Sequence, residues 1–233
     1  MTAQFILQEL HSIANPEKAI FLQGFFKTGK GQYAEGDIFL GITVPFIRNI
    51  VKANKGISLP EIQTLLYSSY HEARLAALLL LVQQFKKAKE AERTMIFNFY
   101  LTHARQANNW DLVDVTCRDV IGAYLLNKKD RSVLYRLATS ENLWEQRIAI
   151  ISTWTFIKNG DFIDTLQLSQ QLLNHKHDLM HKAVGWMLRE VGKKNKKVLT
   201  DFLEEHHKNL PRTTLRYAIE HFFPEERAYF MRK

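Results

Sequence analysis

The stretch Asn108-Asn109-Trp110-Asp111-Leu112-Val113-Asp114 has the clearest chemical content in this 233-residue chain. Asn109 suits a helix N-cap, and Asp111 then falls in the first turn, where the helix dipole favours a carboxylate. That is a sufficient structural account of Asp111. Asp114 stands four residues after Trp110, on the same helical face and deeper than a cap requires. The pair presents an aromatic wall beside a carboxylate, though a salt bridge would also occupy Asp114. A second set repeats at helical spacing: Lys182, Trp186, Arg189 and Lys193, opposite an apolar stripe of Leu179, Met180, Ala183, Val184, Met187, Leu188 and Val191. A tryptophan among three cations, away from the core face, is poorly explained by packing alone, although Trp186 could still lie against a neighbouring helix. Gly185 beside it would let another backbone approach closely. Arg147 enters the apolar run Ile148-Ala149-Ile150-Ile151 and needs an acceptor, because an unpaired buried charge is costly. Asp114, a phosphate and Glu145 are all candidates. His177 and His181 stand at metal-ligand spacing, but a zincin glutamate and a third ligand are missing, so His177 or Asp178 reads better as a helix cap.

These residues have to be held by helices. Helical periodicity runs from end to end, without convincing alternating strands. Pro16, Pro45, Pro60, Pro211 and Pro224 suit first helical turns, and Gly56, Gly122, Gly160 and Gly192 suit C-terminal positions, which marks out about a dozen helices. The glycine-dense segment from Thr28 to Gly41 lacks the ending of a phosphate-binding loop and reads as a long loop or small hairpin. Arg74, Asp114, Arg147, Lys182 and Arg216 each precede an apolar run, at intervals of 40, 33, 35 and 34 residues. That is close to the period of a helical-pair repeat. Stacked pairs would bring these positions into register along one concave surface, giving an all-α chain, an α-solenoid with a basic groove, as one domain over 1–233. The bland alternative is an irregular helical bundle.

Bulk properties narrow the partners. The net charge of +8 makes a polyanion a natural one. No apolar run is long enough to span a membrane. The N-terminal residues lack the pattern of a signal peptide, so a cytoplasmic location is expected. Cys117 is the only cysteine, which excludes an internal disulfide framework and a multi-cysteine metal cluster.

Over nearly its whole length the chain resembles the AlkD family of DNA alkylation repair proteins, solenoids of HEAT-like repeats. The marks are Asn15-Pro16-Glu17-Lys18-Ala19, Gly36-Asp37-Ile38-Phe39-Leu40-Gly41-Ile42 with Pro45 and Arg48, and Trp110-Asp111-Leu112-Val113-Asp114. Further along come Trp144-Glu145-Gln146-Arg147, Lys182-Ala183-Val184-Gly185-Trp186-Met187-Leu188-Arg189-Glu190, and the C-terminal run from Leu210 to Glu220. The resemblance implies Asp114 as catalytic carboxylate, Trp110 and Trp186 lining the lesion site, and Arg147 completing the cluster. Arg48, Lys182 and Arg189 would face DNA. Phe25 stands where some members carry a tyrosine, and the 28–41 loop is longer than in the shortest relatives.

The implied activity is hydrolysis of the N-glycosidic bond of cationic alkylpurines in duplex DNA, by a monomer without metal or organic cofactor. A non-catalytic module that binds branched or damaged DNA is the alternative, since some relatives share the solenoid without the glycosylase residues. A protein-binding HEAT scaffold is a third.

Overall fold

The computed structural model describes residues 1–232, and these are all-α: helix follows helix and no strand forms among them. The one β-type pairing among the described residues is an isolated parallel bridge between Ile38 and Tyr70. Helices neighbouring in sequence pack against one another, as a helical-repeat fold requires. The chain divides into two compact units, Met1–Val120 and the part that begins at Ile121. No helix of the described residues is long and apolar enough to cross a membrane.

The first unit is organised around the helix His71–Lys87. It packs against Ala3–Ser12, Val44–Ala53, Leu59–Leu66, Glu90–Thr102 and Trp110–Asp114. From Leu75 to Val82 its sequence is apolar on every side, the pattern of a helix surrounded by others. Every residue from His71 to Val82 is buried accordingly. Each large aliphatic side chain there contributes about 1.5–3 kcal/mol by leaving water. The polar residues at the helix start are buried with it, so each must find a partner.

This corrects the placing of Arg74 on an exposed surface. Its Nη2 donates to Asp37 Oδ1 at 2.6 Å, its Nη1 to the Ser68 carbonyl at 2.7 Å and its Nε to Asn108 Oδ1 at 3.1 Å. The repeating polar position is taken here by an internal ion pair, because the glycine-rich segment folds over the start of this helix. That segment is a series of turns and not a hairpin. Its end is fastened by the Glu72 carboxylate, which accepts the backbone N–H groups of Leu40, Gly41 and Ile42 at 2.9, 2.9 and 3.1 Å. Gly41 has φ +80°, and a Cβ there would lie 2.1 Å from the Asn15 carbonyl oxygen, so glycine is required on both grounds.

The second unit is organised around the helix Asp178–Lys194. Packed on it are Leu143–Ser152, Trp154–Lys158, Ile163–Gln171, Lys196–His206 and Arg212–Ala218. Gly185 does admit a close approach: a Cβ there would meet Tyr217 Cβ at 2.5 Å and the Thr214 carbonyl at 2.6 Å. Pro16, Pro45, Pro60 and Pro224 lie in first turns, and Pro211 is the N-cap of Arg212–Ala218. Gly160, at φ +81°, ends the helix Trp154–Lys158 as expected. Gly192 does not end a helix, and Gly122 closes the π-helix Arg118–Gly122 only for the run to continue as Ala123–Leu125. Gly192 lies inside Asp178–Lys194 against Leu199, and Gly122 lies in a π-turn against the Ser152 carbonyl. At Gly122 a Cβ would lie 2.3 Å from the Ser152 carbonyl oxygen, so there is no room for a side chain, whereas at Gly192 it would meet only the tip of the Leu199 side chain.

Candidate functional site

Trp110 opens a helix of only five residues, Trp110–Asp114, and Asn109 caps it, with Oδ1 accepting the Trp110 N–H at 2.8 Å. The half-buried indole stacks on Phe26 with ring centroids 5.3 Å apart and meets Phe25 edge to face at 6.2 Å. Phe26 stacks in turn on Phe39 at 5.0 Å, and these rings form with Ala19 a small core beneath Trp110. Phe25 is 55% exposed and Phe21, one turn before it, 70%. The helix Pro16–Phe25 therefore turns aromatic rings outward beside Trp110 and buries little besides Ala19. Trp110 and Phe25 are thus brought together in the first unit.

Asp114, half-buried, sits at the other end of the same short helix. Its charge bears on the fully buried Tyr100 hydroxyl, whose pKa burial, Cys117 and Asp114 together push well above the usual phenol range. Tyr100 Oη lies 2.9 Å from Thr116 Oγ1, which donates to the Leu112 carbonyl at 2.6 Å. A neutral hydroxyl network therefore braces the C-terminal side of the helix.

The N-terminal side is braced by charges. His71, 2% exposed, places Nδ1 3.1 Å from Asp37 Oδ2 and Nε2 2.8 Å from Asp111 Oδ2. Its ring stacks on Phe39 at 4.3 Å and lies 5.3 Å from Phe26. Burial works against a charge on His71, but hydrogen bonds to Asp111 and Asp37 and the Asp111 charge outweigh it and lift the pKa to about 9. Burial likewise works to raise the Asp37 pKa. The His71 hydrogen bond, the Arg74 charge and the Asn108 amide prevail and hold it below the usual carboxylate range. Asn108 Nδ2 donates to Asp37 Oδ1 at 2.9 Å, so the network grips the chain on both sides of Trp110.

The helix dipole alone therefore does not account for Asp111, and its partners His71 and Asp37 are not indicated by spacing. One signal was available. A polar cluster, His71-Glu72 with Arg74, opens a helix too apolar to be exposed, and buried polar groups of that kind demand partners elsewhere.

In the second unit, Lys182, Trp186, Arg189 and Lys193 share the side of Asp178–Lys194 away from its buried residues. Lys182 Nζ pairs with Asp178 Oδ2 at 2.8 Å and lowers the Asp178 pKa. Arg189 Nη1 donates to Glu220, whose pKa falls in response, and Lys193 pairs with Glu190 at 2.8 Å. Ion pairs at the surface are worth about 0–1 kcal/mol, so a phosphate can compete for these cations. Trp186 is half-buried among them.

Arg147, 5% exposed, donates from Nη1 to the Leu179 carbonyl at 2.6 Å, an acceptor the sequence did not indicate. It ties Leu143–Ser152 to the first turn of the helix that carries Lys182 and Trp186. His177 is the N-cap of that helix, its Nδ1 accepting the Leu179 N–H at 3.2 Å. Arg48 is exposed on Val44–Ala53, at a separate hollow that it lines with Lys52 and Lys86.

The family model for the DNA alkylation repair enzyme matches residues 6–222. No curated protein matches the chain. Among solved structures, one described as a predicted DNA alkylation repair enzyme from Enterococcus faecalis has 19% sequence identity and a TM-score of 0.70. The match covers 91% of this chain and 97% of that one. At that identity the likeness speaks for a shared fold, while the family match spans all but the ends. The chain belongs to the DNA alkylation repair enzyme family.

Proposed function

We propose that this protein is a DNA glycosylase that releases cationic alkylated purines, of the N3-methyladenine or N7-methylguanine type, from duplex DNA. The observation that carries the reading is the five-residue helix with Trp110 at one end and Asp114 at the other, backed by Phe26 and flanked by the exposed Phe25. Alkylation at a ring nitrogen makes the purine a cation. When the bond between C1′ and the base nitrogen breaks, the electron pair leaves with the base, which becomes neutral, and the sugar takes on oxocarbenium character. A carboxylate beside that sugar stabilises the developing charge, as in glycoside hydrolysis. Water then adds at C1′ and gives up a proton, leaving an abasic site, and Asp114 is the group assigned to orient that water.

The other residues are assigned by the same chemistry. Trp110 and Phe25 offer ring faces to a cationic nucleotide, each contact worth about 0.5–2 kcal/mol. Trp186 is assigned the same kind of contact on the second unit. Arg48, Lys182 and Arg189 are assigned to phosphates, which sets position without reading sequence. Arg147 is assigned to positioning the helix that presents Lys182 and Trp186.

The test is release of 7-methylguanine from methylated duplex DNA by the wild-type protein and by Asp114→Asn. Wild type is expected to release the base, and the variant to lose rate on the order of a hundredfold with duplex binding retained. Binding without release by the wild type would establish the non-catalytic DNA-binding module instead. Equal rates in both proteins would remove Asp114 from the reaction.

A further inference from the structure

We infer that His71, held as an imidazolium between Asp37 and Asp111, is the positioning residue that keeps Trp110 and Asp114 in place for reaction. The inference rests on the glycosylase reading. Its basis is geometric: both ring nitrogens face carboxylate oxygens, Nδ1 at 3.1 Å from Asp37 and Nε2 at 2.8 Å from Asp111. Only the doubly protonated ring donates to both. The neutral ring, itself 2% exposed, must turn a lone pair toward one of the two carboxylates.

The two carboxylates are not equally secured. Asp37 Oδ1 also accepts from Arg74 Nη2 at 2.6 Å and from Asn108 Nδ2 at 2.9 Å. Asp111 has no such reserve. Its Oδ1 is buried without a hydrogen-bond partner among the described residues, so His71 is the donor that holds this side chain. Loss of the proton therefore releases Asp111, which lies next to Trp110 in a helix of a single turn. A helix that short has little hydrogen bonding of its own to keep its shape.

The charges facing the ring are Asp37 on the glycine-rich segment, Asp111 on the Trp110 helix and Arg74 on its own helix, with Phe26 and Phe39 closing its faces. With His71 charged, the facing carboxylates Asp37 and Asp111 meet the cations His71 and Arg74, while the buried Glu72, whose charge also bears on Arg74, is held by three backbone N–H groups. Loss of the His71 proton adds one net negative charge to this cluster, which adds to the drive to expel Asp111. The pKa of about 9 places the change on the alkaline side of neutrality.

The experiment is single-turnover release of 7-methylguanine from duplex DNA between pH 6 and pH 10, with duplex affinity measured in parallel, for wild type, His71→Gln and Asp111→Asn. Wild type is expected to lose rate about tenfold between pH 8 and pH 10 with affinity unchanged, as titration of one group near pH 9 requires. His71→Gln should be slow and flat across that interval. Asp111→Asn keeps the shape of the side chain but removes the charge that favours the imidazolium, so its alkaline limb should move to lower pH. An alkaline limb that stays put in Asp111→Asn, or persists in His71→Gln, overturns the inference while leaving the glycosylase reading intact. Rate and affinity falling together in both variants would mark His71 as a general structural support and also overturn it. No release by wild type at any pH overturns the glycosylase reading, and the inference with it.

Discussion

The His71 network makes the stability of the first unit a function of pH in a defined window. The ring's pKa rises from an ordinary 6.5 in the unfolded chain to about 9 in the fold, which corresponds to about 3 kcal/mol of stabilisation by linkage. The group binds its proton more tightly when folded. Its contribution is therefore complete below pH 6.5, declines as pH rises above that value and is gone once pH passes about 9. Asp37 acts elsewhere: its depressed pKa stabilises above the unfolded carboxylate value near 3.8 and is lost only as pH falls through the folded value. His103, His175 and His177 have pKa values lowered chiefly by burial, so their contributions are lost as pH falls below 6.5. Between pH 6.5 and 9 His71 contributes a slope of its own. Urea unfolding of wild type and His71→Gln at half-unit steps from pH 6 to pH 9.5 isolates it, because titrations common to both proteins cancel in the difference. The wild-type advantage should shrink by about 3 kcal/mol across the window. A constant difference would mean that the native ring is neutral, and the charge balance drawn for the buried cluster would be wrong.

Glu72→Gln should lower stability by about 3 kcal/mol, because an amide cannot replace a carboxylate that accepts three backbone N–H groups, and the release should appear as faster proteolysis within 28–41. Gly185→Ala should destabilise by about 1–3 kcal/mol in urea unfolding, since its Cβ meets Tyr217 and the Thr214 carbonyl, and the gain in helix propensity offsets less than 1 kcal/mol of that. Gly24→Ala is the matched control: nothing lies within 4 Å of its Cβ and its φ is ordinary, so it should stabilise by about 0.5–1 kcal/mol. The double variant Lys182→Ala, Arg189→Ala should bind duplex DNA more weakly and reduce the logarithmic salt slope by about 2. An unchanged slope would take both cations off the DNA.

What could be read from the sequence divides along a physical line between local and long-range interactions. Asn109 as N-cap, His177 as N-cap and the shared face of Lys182, Trp186 and Arg189 depend on residues within one or two turns, and periodicity reports them directly. The polar groups at the start of His71–Lys87 depend on partners far along the chain: Asp37 is 37 residues from Arg74, and Asp111 is 40 from His71. No spacing rule pairs such residues, so Asp111 looked complete as a first-turn carboxylate and Arg74 looked like one more member of a basic row. The same holds for Gly122, whose missing side chain answers to the Ser152 carbonyl 30 residues on, while the close approach at Gly185 shows in the sequence only as a glycine and its partners Thr214 and Tyr217 do not. Composition still held a clue: a helix apolar on all sides must be enclosed, and an enclosed helix that begins His71-Glu72-Ala73-Arg74 requires acceptors and donors from other segments. The charges that this buried helix must neutralise therefore point to Asp37 and Asp111 across the chain, which the polar position before its apolar run does not.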